Sequence, residues 1–425
     1  MLLKDVERHV GRTHEGKFVY PRYDGYSLVN VPNTAMRILG VKGPGPVLGD
    51  MIYKGLNTRK IKKVVIILID GFGYQMLKDA YKREPFLRKF IQKGMVAPIT
   101  SGFPSNTSVS LTSFNTGLTP QEHGVLEWIL YLREVDEIVN TVPFNVGGST
   151  ERDSLKKRID PKTLYNGDTI YQLLKKRNVA SYTFTPMRIS DTVFDNLVKK
   201  GSKKISYMHN SDLPARLREV LEKEKGKALL SAYIDTLDQS THHHGPFTEE
   251  SRAEILSIFH SLERGLKKID AKTAEETLII ITADHGHIKV DPRKTLYLDK
   301  DKFLNKVYSS GKNKKPILPT GSPRDLFMHV KENKIDETYL YLSRKFKNKA
   351  KIMKVQQALH NGLFGYGKVN KEFHNRTGNI MVLPYGNRAI WNKKVRKIYY
   401  NGLHGGLSKD EMLIPFAATR LSDII

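Results

Sequence analysis

Carboxylate and imidazole side chains recur in four short segments of the chain, three of them directly after apolar, strand-like runs. They are Asp70 in VVIILIDGFG, Asp238 and His242 in SAYIDTLDQSTHHHGP, Asp284 and His285 in LIIITADHGH, and His404 in NGLHGG. Three carboxylates and three imidazoles are what two divalent transition metal ions need as ligands. Two ions held about 3.5–4 Å apart can serve both the attacking and the leaving oxygen of a displacement. The pattern predicts a metal-dependent hydrolase.

A hydroxyl-rich turn between the first two segments offers candidate nucleophiles. It reads FPSNTSVS and contains Ser105, Asn106, Thr107 and Ser108. A hydroxyl in the first turn of a helix lies beside unpaired backbone N–H groups and the positive end of the helix dipole, which bind phosphate and favour an alkoxide. Serine and threonine are also the usual helix caps, so a purely structural role is the alternative. Together with the metal segments, the turn favours Thr107 or a neighbour as the nucleophile.

Several of these residues have a simpler explanation when they are taken alone. An aspartate at a strand end, such as Asp70, is common as a structural cap, and His404 lies in a glycine-rich loop of a kind that is usually exposed. The run of three histidines at 242–244 could be a solvated tract. The spacing of four between Asp238 and His242 places both on one face of a helix or a wide turn, and this spacing favours His242.

Composition limits the kind of protein and the kind of metal site. The 425 residues include no cysteine, so disulfides and thiolate ligands are excluded and any metal must be held by carboxylate and imidazole. The content of 39% hydrophobic and 27% charged residues fits a soluble globular protein. No apolar run approaches the ~20 residues of a membrane span. The first residues, MLLKDVERHVGRTHEG, lack the apolar segment of a secretory signal. We therefore expect a cytoplasmic protein without a membrane partner.

The formal net charge of +26 is high for a chain of this length. Such a field attracts anions, including phosphate esters and nucleic acid. The basic residues are dispersed and are mostly lysine, which favours neither base reading nor bidentate phosphate binding, so solvated lysines explain the charge equally well. The expected partner is a small phosphate ester or a nucleotide, with nucleic acid as an alternative. The sequence does not indicate an oligomeric state.

Strand-like and helical segments alternate through most of the chain and would place the candidate residues together. Apolar runs at 62–70, 179–186, 228–235 and 277–284 predict buried strands. Helical spacing is found at 73–93, 107–114, 168–176, 212–224 and 248–268. This alternation is typical of an α/β fold with a mostly parallel central sheet flanked by helices. In such a sheet, side chains at the carboxyl ends of the strands meet in one crevice.

The pattern changes after His287. Residues 288–395 are richer in lysine, asparagine and glycine and contain only short apolar runs. We predict that 288–395 form a smaller α+β insertion, and that 1–287 together with 396–425 form the catalytic core.

The ordered segments resemble those of the alkaline phosphatase superfamily, and within it the type I phosphodiesterase/nucleotide pyrophosphatase family as found in prokaryotes. The matching motifs are IDGFG (69–73), FPSNTS with TGLTPQEHG (103–124), DQSTHHHGP (238–246), TADHG (282–286) and HGG (404–406). The likeness continues through 20–32 and 320–330 and so covers nearly the whole chain. The resemblance implies an alkaline-phosphatase-like α/β fold.

The resemblance also implies a ligand set and a reaction. One metal ion would be held by Asp70, Asp284, His285 and the nucleophile, and the other by Asp238, His242 and His404. In related enzymes the nucleophile precedes the glycine of the TG turn by ten positions, which selects Thr107. Zinc is the usual metal, and six nitrogen and oxygen ligands agree with zinc without excluding manganese or iron. The implied reaction is hydrolysis of a phosphodiester or pyrophosphate bond through a covalent phosphothreonine.

The substrate contacts depart from the eukaryotic pattern. Eukaryotic nucleotide pyrophosphatases place an asparagine shortly after the HG that follows the nucleophile helix, whereas residues 123–128 read HGVLEW. Asn106 and the backbone N–H of Thr107 are candidate donors to a phosphate oxygen, and Trp128 could stack on a base or simply pack. A phosphomonoesterase or phosphonate hydrolase is the nearest alternative, and a non-catalytic basic protein that binds nucleic acid is a more distant one.

Overall fold

The computed structural model describes residues 2–14 and 16–425, and the bounds of its elements within that part of the chain follow in chain order. The strands are β1 (Lys63–Ile69), β2 (Met95–Thr100), β3 (Ile129–Leu132), β4 (Glu137–Asn140), β5 (Asn145–Val146), β6 (Ala180–Pro186), β7 (Lys203–Tyr207), β8 (Ala228–Ile234), β9 (Thr277–Thr282), β10 (Ile288–Lys289), β11 (Leu296–Tyr297), β12 (Thr320–Ser322), β13 (Asp325–Met328), β14 (Ala350–Lys354), β15 (Ile380–Pro384), β16 (Ile390–Trp391), β17 (Gly402–Leu403) and β18 (Leu413–Arg420).

The helices are α1 (Lys4–Val10), α2 (Asn30–Ile38), α3 (Asp50–Tyr53), α4 (Tyr74–Ala80), α5 (Pro85–Lys93), α6 (Thr107–Thr116), α7 (Pro120–His123), α8 (Ile170–Lys175), α9 (Val193–Val198), α10 (Leu213–Lys223), α11 (Thr236–His244), α12 (Glu249–Leu266), α13 (Ala271–Glu275), α14 (Leu304–Val307), α15 (Ile335–Lys345), α16 (Val355–His360), α17 (Phe373–Thr377) and α18 (Lys409–Met412).

A seven-stranded sheet forms the centre of the molecule, with the strand order β2-β18-β9-β1-β8-β6-β7. The ladders between β9, β1, β8, β6 and β7 are parallel, and β18 pairs antiparallel with both β9 and β2. Every residue of β1, β8 and β9 is buried, as expected for apolar strands covered on both faces. The prediction of a mostly parallel central sheet is confirmed.

Two groups of helices flank this sheet. Helices α4, α5, α10, α11 and α12 contact one another in one group, and α2, α6, α8 and α9 contact one another in the other. The predicted helix at 73–93 is in fact two helices, α4 and α5. The break has a local cause, because Pro85 has no N–H to donate and occupies the first position of α5, where the Glu84 side chain caps the helix.

Residues 288–395 contain a second, antiparallel sheet with the order β12-β13-β15-β14. One face of this sheet, with Phe327 and Met381, packs into the main core. The opposite face packs into a separate apolar cluster that also includes Ile129 and Leu403 from outside the segment. The boundaries at 287/288 and 395/396 therefore stay a prediction.

None of the helices within residues 2–14 and 16–425 is both long enough and apolar enough to cross a bilayer.

Candidate two-metal active site

The predicted ligands emerge from three neighbouring strands in the middle of the central sheet. β9, β1 and β8 lie side by side and run in the same direction. Asp70 directly follows β1, Asp284 and His285 follow β9, and Asp238 and His242 lie in α11, which follows β8. The carboxyl ends of adjacent parallel strands thus bring these side chains to one crevice, as the sequence predicted.

Thr107 and His404 reach the same crevice by other routes. Thr107 is the first residue of α6, which follows the edge strand β2. His404 follows β17, and β17 pairs antiparallel with β10, which begins immediately after His287. A bridge between Ser105 and Gly405 joins the nucleophile turn to the loop of His404. Segments far apart in the chain therefore close one site.

Four of the predicted residues form a buried group, which we call the Asp70 cluster: Asp70, Asp284, His285 and Thr107. The Nε2 atom of His285 lies 3.3 Å from a carboxylate oxygen of Asp70 and 3.3 Å from one of Asp284. It also lies 3.1 Å from the Oγ1 atom of Thr107. The side-chain atoms predicted to share one ion thus converge around a single point.

The other three predicted residues form the Asp238 cluster: Asp238, His242 and His404. The Oδ1 atom of Asp238 lies 3.4 Å from Nε2 of His242 and 3.9 Å from Nε2 of His404. The two imidazole Nε2 atoms lie 3.2 Å apart. The rings of His285 and His404 stack with their centroids 3.6 Å apart, so the two clusters are adjacent.

Backbone carbonyls orient all three imidazoles. The Nδ1 atoms of His242, His285 and His404 face the carbonyl oxygens of Gly402, Gly286 and Ser105 at 2.7, 3.2 and 3.0 Å. A carbonyl oxygen can only accept, so each Nδ1 carries the proton, and the Nε2 atom of each neutral ring presents a lone pair to the site. This arrangement, in which the second ring nitrogen is anchored, is the usual one for metal-binding histidines.

The electrostatics of the site favour cations. Burial and the nearby charges of Asp284 and Asp238 raise the pKa of Asp70 well above its usual range. Burial and the neighbouring histidines lower the pKa of His404 well below its usual value, and burial also lowers the pKa of His242. Burial alone would raise the pKa of Asp238, but His242 and His287 lower it overall. Crowded carboxylates beside neutral imidazoles are stabilised when positive ions lie between them.

The donor set fits divalent metal ions. Among the described residues, the buried Oδ1 of Asp70 and Oδ2 of Asp284 have no hydrogen-bond partner, and these are the two oxygens that face His285. The facing Nε2 lone pairs of His242 and His404 would also repel each other without a cation between them. Unpartnered buried oxygens and nitrogens of this kind are costly unless an ion or another donor satisfies them.

His287 is a residue of the site that the sequence analysis missed. It is buried, and it lies close enough to Asp238, His285 and His404 to be counted with them as a ligand. However, its Nε2 atom lies 2.8 Å from Oδ1 of Asp238, where a proton on Nε2 donates to the carboxylate. We therefore interpret His287 as a residue that positions Asp238. The sequence signal for this role was the second histidine of DHGH (284–287), two residues after His285.

Gly71 makes the position of His287 possible. Its backbone has a φ angle of +74°, and a Cβ atom there would lie 2.7 Å from Nε2 of His287. The left-handed backbone and the close approach of the ring both favour glycine. The first glycine of the IDGFG motif thus lets Asp70 and His287 share one narrow space.

Tyr233 is a second residue that the sequence analysis missed. It is buried near the end of β8, and its hydroxyl donates to Oδ2 of Asp70. The bond leaves Oδ1 of Asp70 facing His285. Tyr233 therefore orients Asp70 in the way that His287 orients Asp238.

The helix cap at the nucleophile turn is Asn106. Its Oδ1 accepts from the backbone N–H and the hydroxyl of Ser108, at 3.0 and 2.9 Å. Thr107, at the first helical position, is therefore not needed as the cap, and its hydroxyl faces His285 instead. The Nδ2 atom of Asn106 donates no hydrogen bond to another described residue.

Two cavities meet at Thr107. The larger, of about 470 Å³, is lined by His242, His404 and Trp391, and the smaller, of about 290 Å³, by Asp70 and Tyr233. Four residues line both: Thr107, Trp128, Asp238 and Gln239. Trp128 is half-buried at this junction, so its position is compatible with substrate contact as well as with packing.

The wall of the larger cavity also contains a buried acid, Glu127. Burial raises its pKa to about 7. Burial and the neighbouring Glu127 raise the pKa of the buried Asp325 well above its usual range. The pair therefore keeps a proton near neutral pH, which limits the negative charge facing the cavity.

The fold and the paired clusters define an alkaline-phosphatase-like α/β protein. Residues 64–407 match the model of the family described as type I phosphodiesterase / nucleotide pyrophosphatase, and the chain belongs to this family. The predicted family is thus confirmed, while its prokaryotic branch stays a prediction.

Individual relatives are distant in sequence. Venom phosphodiesterase 2 of Crotalus adamanteus is 22% identical over 250 residues, which are 55% of this chain and 28% of the venom protein. The chain thus spans about a quarter of the length of the curated relatives it matches.

Two solved structures share the fold. An inactive threonine-to-alanine variant of murine ectonucleotide pyrophosphatase / phosphodiesterase 5, in complex with AMP, has a TM-score of 0.61 and 17% identity and covers 84% of this chain and 87% of its own. Phosphonoacetate hydrolase of Sinorhizobium meliloti 1021, in complex with phosphonoformate, has a TM-score of 0.62 and 17% identity and covers 86% of this chain and 92% of its own. At these identities the likeness shows the fold alone.

Proposed function

We propose that the protein is a two-metal phosphoesterase that hydrolyses phosphodiester or pyrophosphate bonds of small, nucleotide-type substrates. The observation that carries this proposal is the position of Thr107 at the junction of two cavities. A phosphodiester has a substituent on each side of the reacting phosphorus, and two cavities that meet at the nucleophile can take one each. A monoester would need only one of them.

Each cluster has a role in this proposal. The Asp70 cluster would hold one ion beside Thr107, and the Asp238 cluster would hold the second. Zinc is the metal we propose, because the six protein ligands are nitrogen and oxygen atoms and the family resemblance points to it; manganese is the alternative. Such ions supply positive charge that lowers the pKa of the Thr107 hydroxyl and neutralises the phosphate and the leaving oxygen.

The reaction proceeds in two displacements at phosphorus. The Oγ1 of Thr107 loses its proton to solvent and bonds to phosphorus, while the bond to the leaving oxygen breaks and that oxygen departs with the electron pair. Water then attacks the phosphothreonine, the bond between Oγ1 and phosphorus breaks, and Thr107 regains a proton. The Nδ2 of Asn106 and the backbone N–H of Thr107 donate to a non-bridging oxygen during both steps.

The relatives are consistent with this assignment. The venom relative is named a phosphodiesterase, and the murine structure is an inactive threonine-to-alanine variant that holds AMP. In this chain Thr107 would correspond to the threonine that is replaced in the murine variant, and the two cavities would give space for a nucleotide. The cytoplasmic location and the possible binding of nucleic acid remain proposals from the sequence.

Turnover of two chromogenic esters tests the proposal. Bis-p-nitrophenyl phosphate and p-nitrophenyl phosphate are compared with zinc or manganese, for the wild type, Thr107→Ala and Ser108→Ala. We expect preference for the diester, and a loss of roughly 10³-fold or more in Thr107→Ala because the nucleophile is gone. Ser108→Ala, one residue further along the same helix, keeps the backbone N–H that donates to Oδ1 of Asn106, so it should lose far less activity than Thr107→Ala. A Thr107→Ala protein with near-normal turnover would remove Thr107 from its role.

Hydrolysis of a monoester or phosphonate is the second candidate, and one observation favours it. Arg152 and Arg188 line the smaller cavity together with Thr107, and a guanidinium there could bind the extra charge of a terminal phosphate. Arg188, however, already pairs with Asp235 through both of its terminal nitrogens. A higher kcat/KM for p-nitrophenyl phosphate than for the diester would decide for this candidate.

A further inference from the structure

Arg396 places an exposed guanidinium on the wall of the larger cavity. It lies in the segment 392–401, which begins NKKVRK and has no regular secondary structure. Arg396 has no carboxylate within ion-pair distance in the part of the chain that the structure describes. Among the described residues, its one side-chain hydrogen bond runs from Nη2 to the hydroxyl of Tyr400, at 2.7 Å. Most of its five donors are thus available to a ligand.

Tyr400 fixes this guanidinium relative to the metal site. The tyrosine ring lies 4.7 Å from the ring of His242, measured between centroids, and 5.4 Å from the guanidinium carbon of Arg396. Asn401 ties the same segment to α11, because its N–H donates to the carbonyl of His242 at 2.9 Å and its side chain donates to the carbonyl of His243 at 2.7 Å. The cation is therefore anchored beside the Asp238 cluster.

The proposed reaction assigns the larger cavity to the leaving group. Thr107 contacts His285 of the Asp70 cluster, so the attack starts from that side. In an in-line displacement the leaving oxygen lies opposite the nucleophile, which is the side of the Asp238 cluster. The larger cavity is the one that His242 and His404 line. The leaving group would thus extend toward Arg396.

We propose that Arg396, held by Tyr400, binds a phosphate group carried by the leaving part of the substrate. The inference rests on the proposed function and assigns to Arg396 and Tyr400 the part of the site that would favour substrates with a phosphorylated leaving group over substrates without one. A planar guanidinium with free donors suits a phosphate, to which it can donate two parallel hydrogen bonds.

The test uses two substrates that transfer the same group but release different ones. Thymidine 5′-triphosphate releases pyrophosphate, and the p-nitrophenyl ester of thymidine 5′-monophosphate releases p-nitrophenolate. For Arg396→Gln we expect kcat/KM for the triphosphate to fall about 10- to 100-fold, the value of a hydrogen bond between charged groups. Under the same conditions, kcat/KM for the nitrophenyl ester should change by less than about 3-fold, the size of a weak long-range charge effect.

Two further variants separate this role from a loss of structure. Tyr400→Phe keeps the ring against His242 but removes the hydroxyl that holds Arg396, so only the triphosphate should suffer, by about 3- to 10-fold. Lys397→Gln removes an exposed charge of the same segment that lies over the ring of Tyr399 instead of in the cavity, and it should affect both substrates little and equally.

A binding measurement distinguishes failure of this inference from failure of the proposed function. Methylenediphosphonate, which is not hydrolysed, is titrated calorimetrically into the zinc-loaded wild type and Arg396→Gln. We expect affinity to fall in the variant by a factor similar to that in kcat/KM. Equal affinity of the two proteins, or an equal loss on both thymidine substrates, would overturn the role of Arg396. If the wild type hydrolyses neither substrate, the proposed function fails, and the titration alone decides whether Arg396 binds the anion.

Discussion

The Asp70 cluster and the Asp238 cluster lie side by side but are built in different ways. The side chains of Asp70, Asp284 and His285 are at most 3% exposed and come from the ends of core strands. Those of Asp238, His242 and His404 are 10–21% exposed and come from a helix and a short ladder. The comparison shows that the buried cluster holds the hydroxyl of Thr107, the proposed nucleophile, whereas the more exposed cluster lines the larger cavity, where we propose that the leaving group lies.

Among the tests of this comparison, the largest effect is expected from removing the aspartate of either cluster. Asp70→Ala and Asp238→Ala should each lower the metal content of the protein from two equivalents to one. In each variant the unsubstituted cluster keeps all of its ligands and therefore its ion. Turnover should fall by more than about 100-fold in both variants. This exceeds the loss of about 10- to 100-fold that is typical when a residue hydrogen-bonded to a metal ligand is removed. Metal content is measured by mass spectrometry after dialysis. If either substitution empties both sites, the two clusters are one cooperative site and the comparison is wrong.

The next largest effect is expected at His287, which donates a hydrogen bond to Asp238. His287→Leu should weaken zinc binding in the Asp238 cluster by about 10- to 100-fold, because the hydrogen bond that orients the carboxylate is lost. His287→Gln keeps a donor at a similar reach and should recover part of the affinity. Competition with a chromogenic chelator measures both constants. Equal losses in the leucine and glutamine variants would instead indicate that His287 is itself a ligand.

Tyr233 has the corresponding position behind Asp70, because its hydroxyl donates to the other oxygen of that carboxylate. Tyr233→Phe should lower the metal affinity of the Asp70 cluster by about 10-fold, the lower end of the range for a residue hydrogen-bonded to a metal ligand. The loss should be small because backbone N–H groups still orient Asp284. The same chelator competition applies. The Asp238 cluster should keep its affinity, and a change in that cluster would show that the two ions are coupled.

The smallest effect on catalysis is expected for the acid in the cavity wall. Burial raises the pKa of Glu127 to about 7, so the folded protein keeps a proton that the unfolded chain releases near pH 4.5. The free energy of unfolding of the wild type should therefore fall as the pH rises from about 4.5 to 7, and this component should not change further above pH 7.

Glu127→Gln has no carboxyl group to ionise at this position, so its free energy of unfolding should not show this decrease. Relative to the wild type, the free energy of unfolding of the variant should rise by up to about 3 kcal/mol between pH 4.5 and pH 8. Urea denaturation at both pH values measures the difference. Glu134→Gln, which changes an exposed side chain, is the control and should differ from the wild type equally at both pH values. A pH-independent difference for Glu127→Gln would show that Glu127 is ionised in the folded protein.

The sequence predicted the family, the parallel sheet and the residues of both clusters that the structure brings together. The fold and the position of these side chains in one crevice could be predicted because an apolar run that ends in Asp or His leaves few places for the polar side chain other than the end of a strand; their roles in the reaction stay a prediction. The break between α4 and α5 was missed although Pro85 was visible, because apolar residues recur at helical spacing on both sides of it. The contribution of Ile129 and Leu403 to the second apolar cluster depends on packing between distant segments, which no local pattern encodes.

By itself, then, the sequence determined which side chains are candidate metal ligands and roughly where each lies, because strand ends and helical spacing are local properties. Only the tertiary structure decided which nitrogen of each imidazole faces inward and that His287 donates to Asp238. Those choices depend on the carbonyls of Ser105 and Gly402 and on the space above Gly71, which come from remote parts of the chain. Hydrogen bonds across such separations exist only once the sheet and its loops have closed around the site.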